Sequence, residues 1–277
     1  MSTQVRSVDL SIIVPAFNEE HRLPPTLARL HEYLAAQSTT GACPRAAAPP
    51  QGGAVGSSMS WEIIVVDDGS RDATCAVVER AMAQIPHLRL VRQTPNRGKG
   101  SAVRLGMLAA HGRICVMSDA DGSMSPDQLP RLLAPILAGR AEIAIGSRYA
   151  EGACTDVEQP RYRVLWSRFA NLLIQRSLVP GVRDTQCGFK AFTAEVARDL
   201  FGRGQIDGWA FDLEILALAR HAGYAIAEVG IEWTDDRRSR VNPLKDLWKV
   251  IREAMTIRKN LRHGVYLRDE RTLPAAA

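Results

Sequence analysis

Short apolar runs alternate with segments of helical periodicity along this chain, and the alternation constrains the fold more than any other feature. Five such runs are "LSIIVPA", "WEIIVVDD", "LRLVRQ", "RICVMSD" and "AEIAIGSRY". Most of each run is apolar at successive positions, which is typical of a strand covered on both faces. The alternation therefore predicts an α/β fold whose mostly parallel sheet is flanked by helices.

Helices are predicted by apolar residues at three- and four-residue spacing. They cover residues 24–36, 72–84, 99–111, 163–178 and 210–222, and a later strand lies near 225–234. The stretch 35–60 is rich in Ala, Gly, Pro and Ser, and we interpret it as a flexible insertion. We assign residues 1–240 to one domain and residues 241–277 to an amphipathic C-terminal helix and tail.

Composition narrows the classes of partner. The net charge of +5 and the pI near 9.1 favour anionic partners such as nucleotides, phosphates or an anionic membrane face. We expect no nucleic-acid partner, because the basic segments hold few interleaved aromatics and no recognised motif. The five cysteines are scattered and form no C-x-x-C pair, which argues against a disulfide framework and a zinc site.

The expected location is cytoplasmic. No apolar stretch approaches the ~18 residues of a membrane span, and "MSTQVRSVDL" lacks the apolar region of a signal peptide. Two basic amphipathic segments, 161–176 and 244–262, either lie at a membrane surface or are core helices with a solvated face. On the first interpretation the chain docks peripherally on the inner face of the cytoplasmic membrane.

Polar side chains follow several of the predicted strands at the point where each strand ends. Asn18 and Glu19 follow the first strand, and Asp67 and Asp68 follow the second. Asp119, Asp121 and Arg148 follow two later strands. Ligands of parallel sheets bind at the carboxyl ends of the strands, so these residues mark the expected site.

The D-x-D pair Asp119 and Asp121 offers hard oxygen ligands without a nearby His or Cys. Such ligands suit Mg²⁺ or Mn²⁺, and Mg²⁺ usually completes its shell with water and the phosphates of a substrate. The alternative is structural: either aspartate could form an Asx-turn or cap the helix expected near Ser125.

Two further motifs allow similar alternatives. Asp67 and Asp68 in "VVDDGS" either form a tight turn or hydrogen-bond a base or ribose. In "PNRGKG", backbone amides and the Lys99 ammonium could hold an anion before a helix. The spacing of an ATP-binding P-loop is absent.

These motifs in this order resemble glycosyltransferase family 2, whose members have the GT-A fold and use nucleotide-activated sugars. The matching pieces are "SIIVPAFNEEHRLPPTL", "EIIVVDDGSRDAT", "NRGKGSAVRLGM", "SDADGS" and "AIGSRY". The second half, with "DTQCGFKAFT", "WAFDLEIL" and "SRVNPLKDLW", is similar to the dolichyl-phosphate and polyprenyl-phosphate β-glucosyltransferases.

The resemblance implies a role for each matching residue. The residues implied to line the uracil pocket are Pro15, Asn18, Glu20 and Asp67. The resemblance also places Lys99 beside the nucleotide, Asp119 at the ribose and, with Asp121, at the metal, and Arg240 over the diphosphate. Related mannosyltransferases have a metal-binding Gln after the D-x-D, where this chain has Gly122 and Ser123.

On the acceptor side, the resemblance places Arg148 where the acceptor phosphate binds. A hydroxyl acceptor needs a carboxylate base, for which Asp184 and Asp212 are the candidates. A lipid phosphate is already anionic at neutral pH and needs no base. We therefore expect Asp184 to position Arg148 or the acceptor site, and Asp212 is alternatively a charge at a helix start.

The implied function is an inverting transfer of a hexose, with glucose favoured, from UDP-glucose to dolichyl or polyprenyl phosphate. One alternative is a soluble family 2 enzyme that acts on a hydroxyl acceptor. Another is a non-catalytic protein that binds a sugar nucleotide. The Q-x-x-R-W motif of processive synthases is absent, which favours a single transfer.

Overall fold

The structure is a computed structural model that describes residues 8–40, 59–152, 154–156, 178–234 and 243–266. The strands are β1 (Val8–Ala16), β2 (Trp61–Asp67), β3 (Leu88–Arg92), β4 (Gly112–Met117), β5 (Ile143–Ser147), β6 (Cys154–Asp156), β7 (Lys190–Thr193), β8 (Ile226–Gly230) and β9 (Glu232–Thr234). The helices are α1 (Leu23–Thr40), α2 (Thr74–Met82), α3 (Lys99–Ala109), α4 (Leu129–Leu137), α5 (Ala194–Arg203), α6 (Phe211–Ala222) and α7 (Pro243–Arg262), with a 3-10 turn (Pro126–Gln128) before α4.

The main sheet has seven strands in the order β3-β2-β1-β4-β7-β5-β8. Strand β7 runs antiparallel to both of its neighbours, β4 and β5, and the other strands share one direction. A second, two-stranded parallel sheet pairs β6 with β9. The predicted fold class, a mostly parallel sheet flanked by helices, is confirmed.

Helix α3 packs unusually close to the sheet because of Gly106. A Cβ atom at this position would lie 2.5 Å from Cγ2 of Ile13 and 2.9 Å from Cγ2 of Val66. Both neighbours are fully buried, and all of β2 is buried as a strand covered on both faces must be. The close approach fixes α3 against β1 and β2, with its first residue, Lys99, at the carboxyl edge of the sheet.

Most of the predicted elements are present, and three were missed: the short strand β6, strand β7 and helix α5. The five apolar runs form β1 to β5, and the predicted helices 24–36, 72–84, 99–111 and 210–222 correspond to α1, α2, α3 and α6. Neither β7 nor α5 was predicted. Strand β7 has only four residues and begins with a lysine, so its sequence carries no local signal of a central strand.

Some predictions fall partly or wholly outside the described residues. Helix α1 continues to Thr40 beyond the predicted end at residue 36, so residues 37–40 of the predicted insertion are helical. Residues 41–58, Arg240 and almost all of the predicted helix 163–178 lie outside the described residues. The assignments 1–240 and 241–277 remain predictions.

Helix α7 buries one side and exposes another. Val250 and Ile257 are buried, while Ile251 and Met255 are 36% and 69% exposed. The predicted amphipathic C-terminal helix is therefore confirmed, with its buried side against the body of the fold. Within the described ranges, no helix has both the length and the apolar character required to cross a bilayer.

Candidate active site

The D-x-D pair follows β4 directly and meets a cation there. Asp121 forms an Asx-turn, because its Oδ1 accepts a hydrogen bond from the Ser123 amide at 3.0 Å. Asp119 Oδ1 lies 2.7 Å from the Nζ atom of Lys99. The positive charge that offsets the two neighbouring carboxylates is therefore Lys99, the first residue of α3.

Lys99 is held in its charged form by the surrounding carboxylates. Burial alone would lower its pKa, but Asp119, Asp212 and Asp121 outweigh this effect and raise the pKa above the ordinary value. Its ammonium also faces the ring of Trp209 at 5.2 Å, within the range of a cation–π contact. Trp209 is 44% exposed, so the contact lies at the open side of the site.

Asp119 is in contact with the segment that precedes β7. A Cβ atom on Gly188 would lie 2.0 Å from Asp119 Oδ2, which is much closer than two unbonded atoms approach. Only glycine leaves room for the carboxylate at this position. Sequence analysis missed Gly188, although it stands in the quoted "DTQCGFKAFT" motif, because the contact joins positions far apart in the chain.

A second buried ion pair lies beside the first. The Nζ atom of Lys190 is 2.5 Å from both Asp212 Oδ1 and the Cys187 carbonyl oxygen. The two side chains are 2% and 6% exposed. Burial raises the pKa of Asp212, and the opposing effects of Lys190 and Lys99 do not cancel the increase. Lys190 was not predicted, and Asp212 is bound to a cation at the start of α6.

Arg148 and Asp184 form the third ion pair of this edge. Asp184 Oδ2 accepts hydrogen bonds from the amide and Nε of Arg148 at 3.0 and 2.8 Å, and Oδ1 accepts one from Nη2 at 2.9 Å. Burial alone would lower the pKa of Arg148, but the hydrogen bonds and charge of Asp184 outweigh this effect. The pKa therefore lies above its ordinary value, and the guanidinium stays charged. Asp184 is almost fully buried, and it orients Arg148 as expected.

The two aspartates after β2 have different environments. Asp68 accepts hydrogen bonds from the amides of Arg97 and Gly98 at 2.9 and 2.8 Å and from the side chains of Gln93 and Asn96. Asp68 therefore holds the loop before α3.

Asp67 has an unsatisfied oxygen. Its Oδ2 accepts a hydrogen bond from the Ser70 amide at 3.2 Å, but its Oδ1 is buried with no hydrogen-bond partner among the described residues. The Cys75 thiol, a weak donor, lies near this carboxylate. Burial and then Asp67 raise the thiol pKa to about 11. A buried acceptor without a partner is costly, so Asp67 is suited to accept a hydrogen bond from a ligand.

The remaining residues of the expected uracil pocket shape the neighbouring loop. Pro15 is buried within β1, whereas Asn18 has a left-handed conformation with φ of 56°. The Asn18 Oδ1 and Glu20 Oε2 atoms accept hydrogen bonds from the amides of Arg71 and Ala73, each at 2.8 Å. A cavity is lined by Asn18, Glu19, Glu20, His21, Arg22, Arg71 and Asp72. Pro15 and Asp67 do not line this cavity, but Asp67 pairs with Ala16 across β1 and β2, and its hydrogen-bond partner Ser70 accepts the Asn18 amide. The uracil pocket remains a prediction.

One part of the anion-site prediction is wrong. The amides of Arg97 and Gly98 donate to Asp68, and those of Gly100 and Ser101 donate to the Asp207 carbonyl at 2.8 and 3.3 Å. These amides already have partners and are not available to an anion. The Lys99 ammonium remains the cationic group of this motif.

The carboxylates fit a divalent metal that is shared with a substrate. Among the described residues, no three His, Cys, Asp or Glu side chains converge as a complete metal site. Asp119 and Asp121 supply hard oxygens, and neither Oδ2 atom has a hydrogen bond from a described residue. Two carboxylates with open coordination positions match the preference of Mg²⁺ for phosphate oxygens and water.

Substitution of Gly188 tests the packing around Asp119. In Gly188→Ala, the added methyl group displaces the Asp119 carboxylate, so we expect Mn²⁺ to bind about 10- to 100-fold more weakly in the presence of UDP. Electron paramagnetic resonance of free Mn²⁺ measures the affinity. Gly202→Ala is the control, because its added Cβ would meet nothing within 4 Å. Equal Mn²⁺ affinity in both variants would contradict the proposed contact.

Comparison with solved structures identifies the same fold elsewhere. The chain superposes with a TM-score of 0.62 on glucosyl-3-phosphoglycerate synthase from Mycobacterium tuberculosis, crystallised with Mn²⁺, UDP-glucose and phosphoglyceric acid. The match covers 95% of this chain and 81% of that chain at 19% identity. The expected GT-A architecture is therefore confirmed.

Sequence comparisons define the family. A dolichyl-phosphate β-glucosyltransferase of Dictyostelium discoideum is 34% identical over 95% of this chain and 77% of that protein. One of Drosophila melanogaster is 36% identical over 86% of this chain and 70% of that protein. The family described as Glycosyl transferase family 2 matches residues 11–201. This chain belongs to glycosyl transferase family 2.

Proposed function

We propose that this chain is an inverting hexosyltransferase that moves glucose from UDP-glucose to dolichyl phosphate or a related polyprenyl phosphate. The names of its relatives support the donor sugar and the class of acceptor. The structural observation that carries the proposal is the state of the two candidate bases. Asp184 is bound to Arg148, and Asp212 is bound to Lys190.

Those two ion pairs favour a nucleophile that is already anionic. Both Asp184 oxygens accept hydrogen bonds from Arg148, so protonation of Asp184 would leave the guanidinium unpaired. Asp212 has a raised pKa, but its side chain is only 6% exposed and is held by Lys190, which leaves little access for an acceptor hydroxyl. A hydroxyl acceptor needs such a base, whereas a phosphate monoester with a second pKa of about 6 is ionised at neutral pH. Arg148, oriented by Asp184, is a suitable ligand for that phosphate.

The donor side is built from the D-x-D pair, Lys99 and Asp67. Asp119 and Asp121 would hold Mg²⁺ or Mn²⁺, which stabilises negative charge on the leaving diphosphate when it is bound. Lys99 adds a fixed positive charge beside that position. Asp67 Oδ1 would accept the N3–H of uracil. Arg240 is proposed to close over the diphosphate, as the family resemblance implies.

The same proposal places the chain at a membrane surface. Helix α7 exposes Ile251 and Met255, and basic residues surround them on the exposed surface: Lys249, Arg252, Arg258, Lys259 and Arg262. Exposed apolar side chains within a cationic surface are typical of a helix that lies on an anionic bilayer. We propose peripheral binding to the cytoplasmic face, where a lipid phosphate would be accessible.

Transfer is tested with purified protein, radiolabelled UDP-glucose, Mn²⁺ and dolichyl phosphate. We expect label to enter the organic phase with the wild-type chain and at least about 100-fold more slowly with Asp121→Ala, which lacks one metal ligand. Chemical stability of the product then distinguishes a phosphodiester from a glycoside. Label in a hydroxyl acceptor, with none in the lipid, would instead support the soluble family 2 alternative.

Asp67→Asn tests recognition of the base. The Ser70 amide requires an acceptor, so the asparagine oxygen takes the Oδ2 position and its NH₂ group replaces Oδ1. That group opposes the N3–H of uracil but can donate to N3 of cytosine. We expect UDP to lose about 1–3 kcal/mol of binding free energy and CDP to bind better than it does to wild type, as measured by calorimetry with Mn²⁺.

The control for this variant is Asp127→Asn, at an exposed aspartate. Its affinities for UDP and CDP should equal those of wild type. If Asp67→Asn left both affinities unchanged, Asp67 would not contact the base.

Membrane docking is tested by placing a negative charge on the exposed apolar surface of α7. We expect Met255→Glu to reduce flotation with anionic liposomes at low salt by about tenfold, because it removes apolar contact and adds repulsion. Leu137→Glu is the matched control, since Leu137 is 54% exposed on α4. Equal flotation of both variants and wild type would contradict docking through α7.

A further inference from the structure

The loop 204–210 joins α5 to α6 and carries Trp209 to the open side of the site. Its inner side is fastened to the start of α3. The Asp207 carbonyl accepts the Gly100 and Ser101 amides, and the Asp207 carboxylate pairs with Arg104 and with Arg97. Arg97 and Gly100, which flank Lys99 in the sequence, both contact Asp207. The loop is therefore bound to the backbone on both sides of Lys99.

The packing between loop and helix leaves no room for a shift. A Cβ atom on Gly98 would lie 2.5 Å from the Asp207 carbonyl oxygen, and one on Gly100 would lie 2.6 Å from the Ile206 carbonyl oxygen. The two backbones are therefore in direct contact. A displacement of the loop would change the position of α3 at the residue that pairs with Asp119.

The outer side of the same loop is fastened to α7. Glu253 Oε2 accepts a hydrogen bond from the buried Ala210 amide at 3.0 Å. A Cβ atom on Gly208 would lie 2.3 Å from Glu253 Oε1. Glu253 therefore contacts the backbone on both sides of Trp209. Its negative charge also lies at the start of α6, where the helix dipole favours an anion.

A second connection supports the first. The hydroxyl of Tyr266 donates to Glu214 Oε1 at 2.7 Å, and Glu214 Oε2 accepts the amides of Gln205 and Ile206, each at 2.9 Å. Burial raises the pKa of Tyr266, and Glu214 raises it further. The chain after residue 243 thus holds the loop at both of its ends.

We propose that Glu253 is a positioning residue for the donor site. It fixes the backbone around Trp209 and thereby holds the indole against Lys99 and Lys99 against Asp119. The contacts that the structure gives for Glu253 are with the backbone at Gly208 and Ala210, so Glu253 acts through the loop. On this proposal, α7 supports the site that would bind the nucleotide and the metal. The kcat measurement below rests on the proposed function.

The experiment compares Glu253→Ala and Glu253→Gln in the full chain labelled with 5-fluorotryptophan. We expect the five tryptophans to give separate ¹⁹F resonances, and Trp209→Phe identifies the signal of Trp209. We expect Glu253→Ala to shift that signal and to lower kcat about 10- to 100-fold, as loss of a supporting contact does. Glu253→Gln should restore most of both, because its amide oxygen still accepts the Ala210 amide.

Glu142→Ala is the matched control. Glu142 Oε2 accepts the Ala225 amide at 2.8 Å, so this variant also removes a carboxylate from a backbone donor, but at the far end of β5. Its thermal unfolding midpoint should fall as that of Glu253→Ala does, without a change in the Trp209 signal or in the affinity for UDP and Mn²⁺.

The outcomes separate this inference from the proposed function. An unshifted Trp209 signal in Glu253→Ala would overturn the inference, as would a Gln variant that resembles the Ala variant. A shifted signal with weaker binding of UDP and Mn²⁺, in a chain whose wild type transfers no glucose to lipid, would support the positioning role and reject only the proposed acceptor or donor.

Discussion

The ion pair between Lys99 and Asp119 is the contact on which the arrangement of the site depends. Two carboxylates separated by a single residue repel each other, and the Lys99 ammonium offsets this repulsion at Asp119. Lys99 reaches Asp119 because Gly106 allows α3 to approach the sheet, and Asp119 fits because Gly188 has no side chain. The same pairing raises the pKa of Lys99 and keeps a permanent positive charge where a diphosphate would bind.

The antiparallel strand β7 explains how one short segment serves three parts of the site. Because β7 lies between β4 and β5 and begins at the edge where they end, the residues before it cross that edge. Asp184 orients Arg148, Gly188 makes room for Asp119, and Lys190 neutralises Asp212. A parallel strand in this place would have entered from the opposite edge and delivered none of them.

Sequence periodicity predicted the sheet and the edge at which the polar residues gather, because both follow from local apolar patterns. Motifs and the family resemblance singled out Lys99, Asp119, Asp121, Arg148 and Asp184. The structure pairs Lys99 with Asp119 and Arg148 with Asp184, and their roles in the reaction remain predictions. The residue pattern by itself did not distinguish Asp67 from Asp68, although the family resemblance named Asp67, because their difference lies in which oxygen finds a partner in the folded chain. Lys190 and Glu253 were missed since their partners lie 22 and 43 residues away. The prediction that backbone amides at the start of α3 could hold an anion was wrong. The carbonyl of Asp207, distant in sequence, accepts two of these amides, those of Gly100 and Ser101.

Helix α7 combines two tasks that the sequence suggested only in part. Ile251 and Met255 are exposed, while Glu253, midway between them along the chain, faces the loop that carries Trp209. The helical repeat puts residues two apart on opposite sides, so one turn of α7 joins the proposed bilayer contact to the site. A lipid phosphate would approach from the bilayer, so the donor site would have to lie at a defined distance from the bilayer surface. If the chain docks as proposed, the Glu253 contact fixes the distance between the exposed surface of α7 and the site, and the packing of α7 would set the position of the site relative to the bilayer.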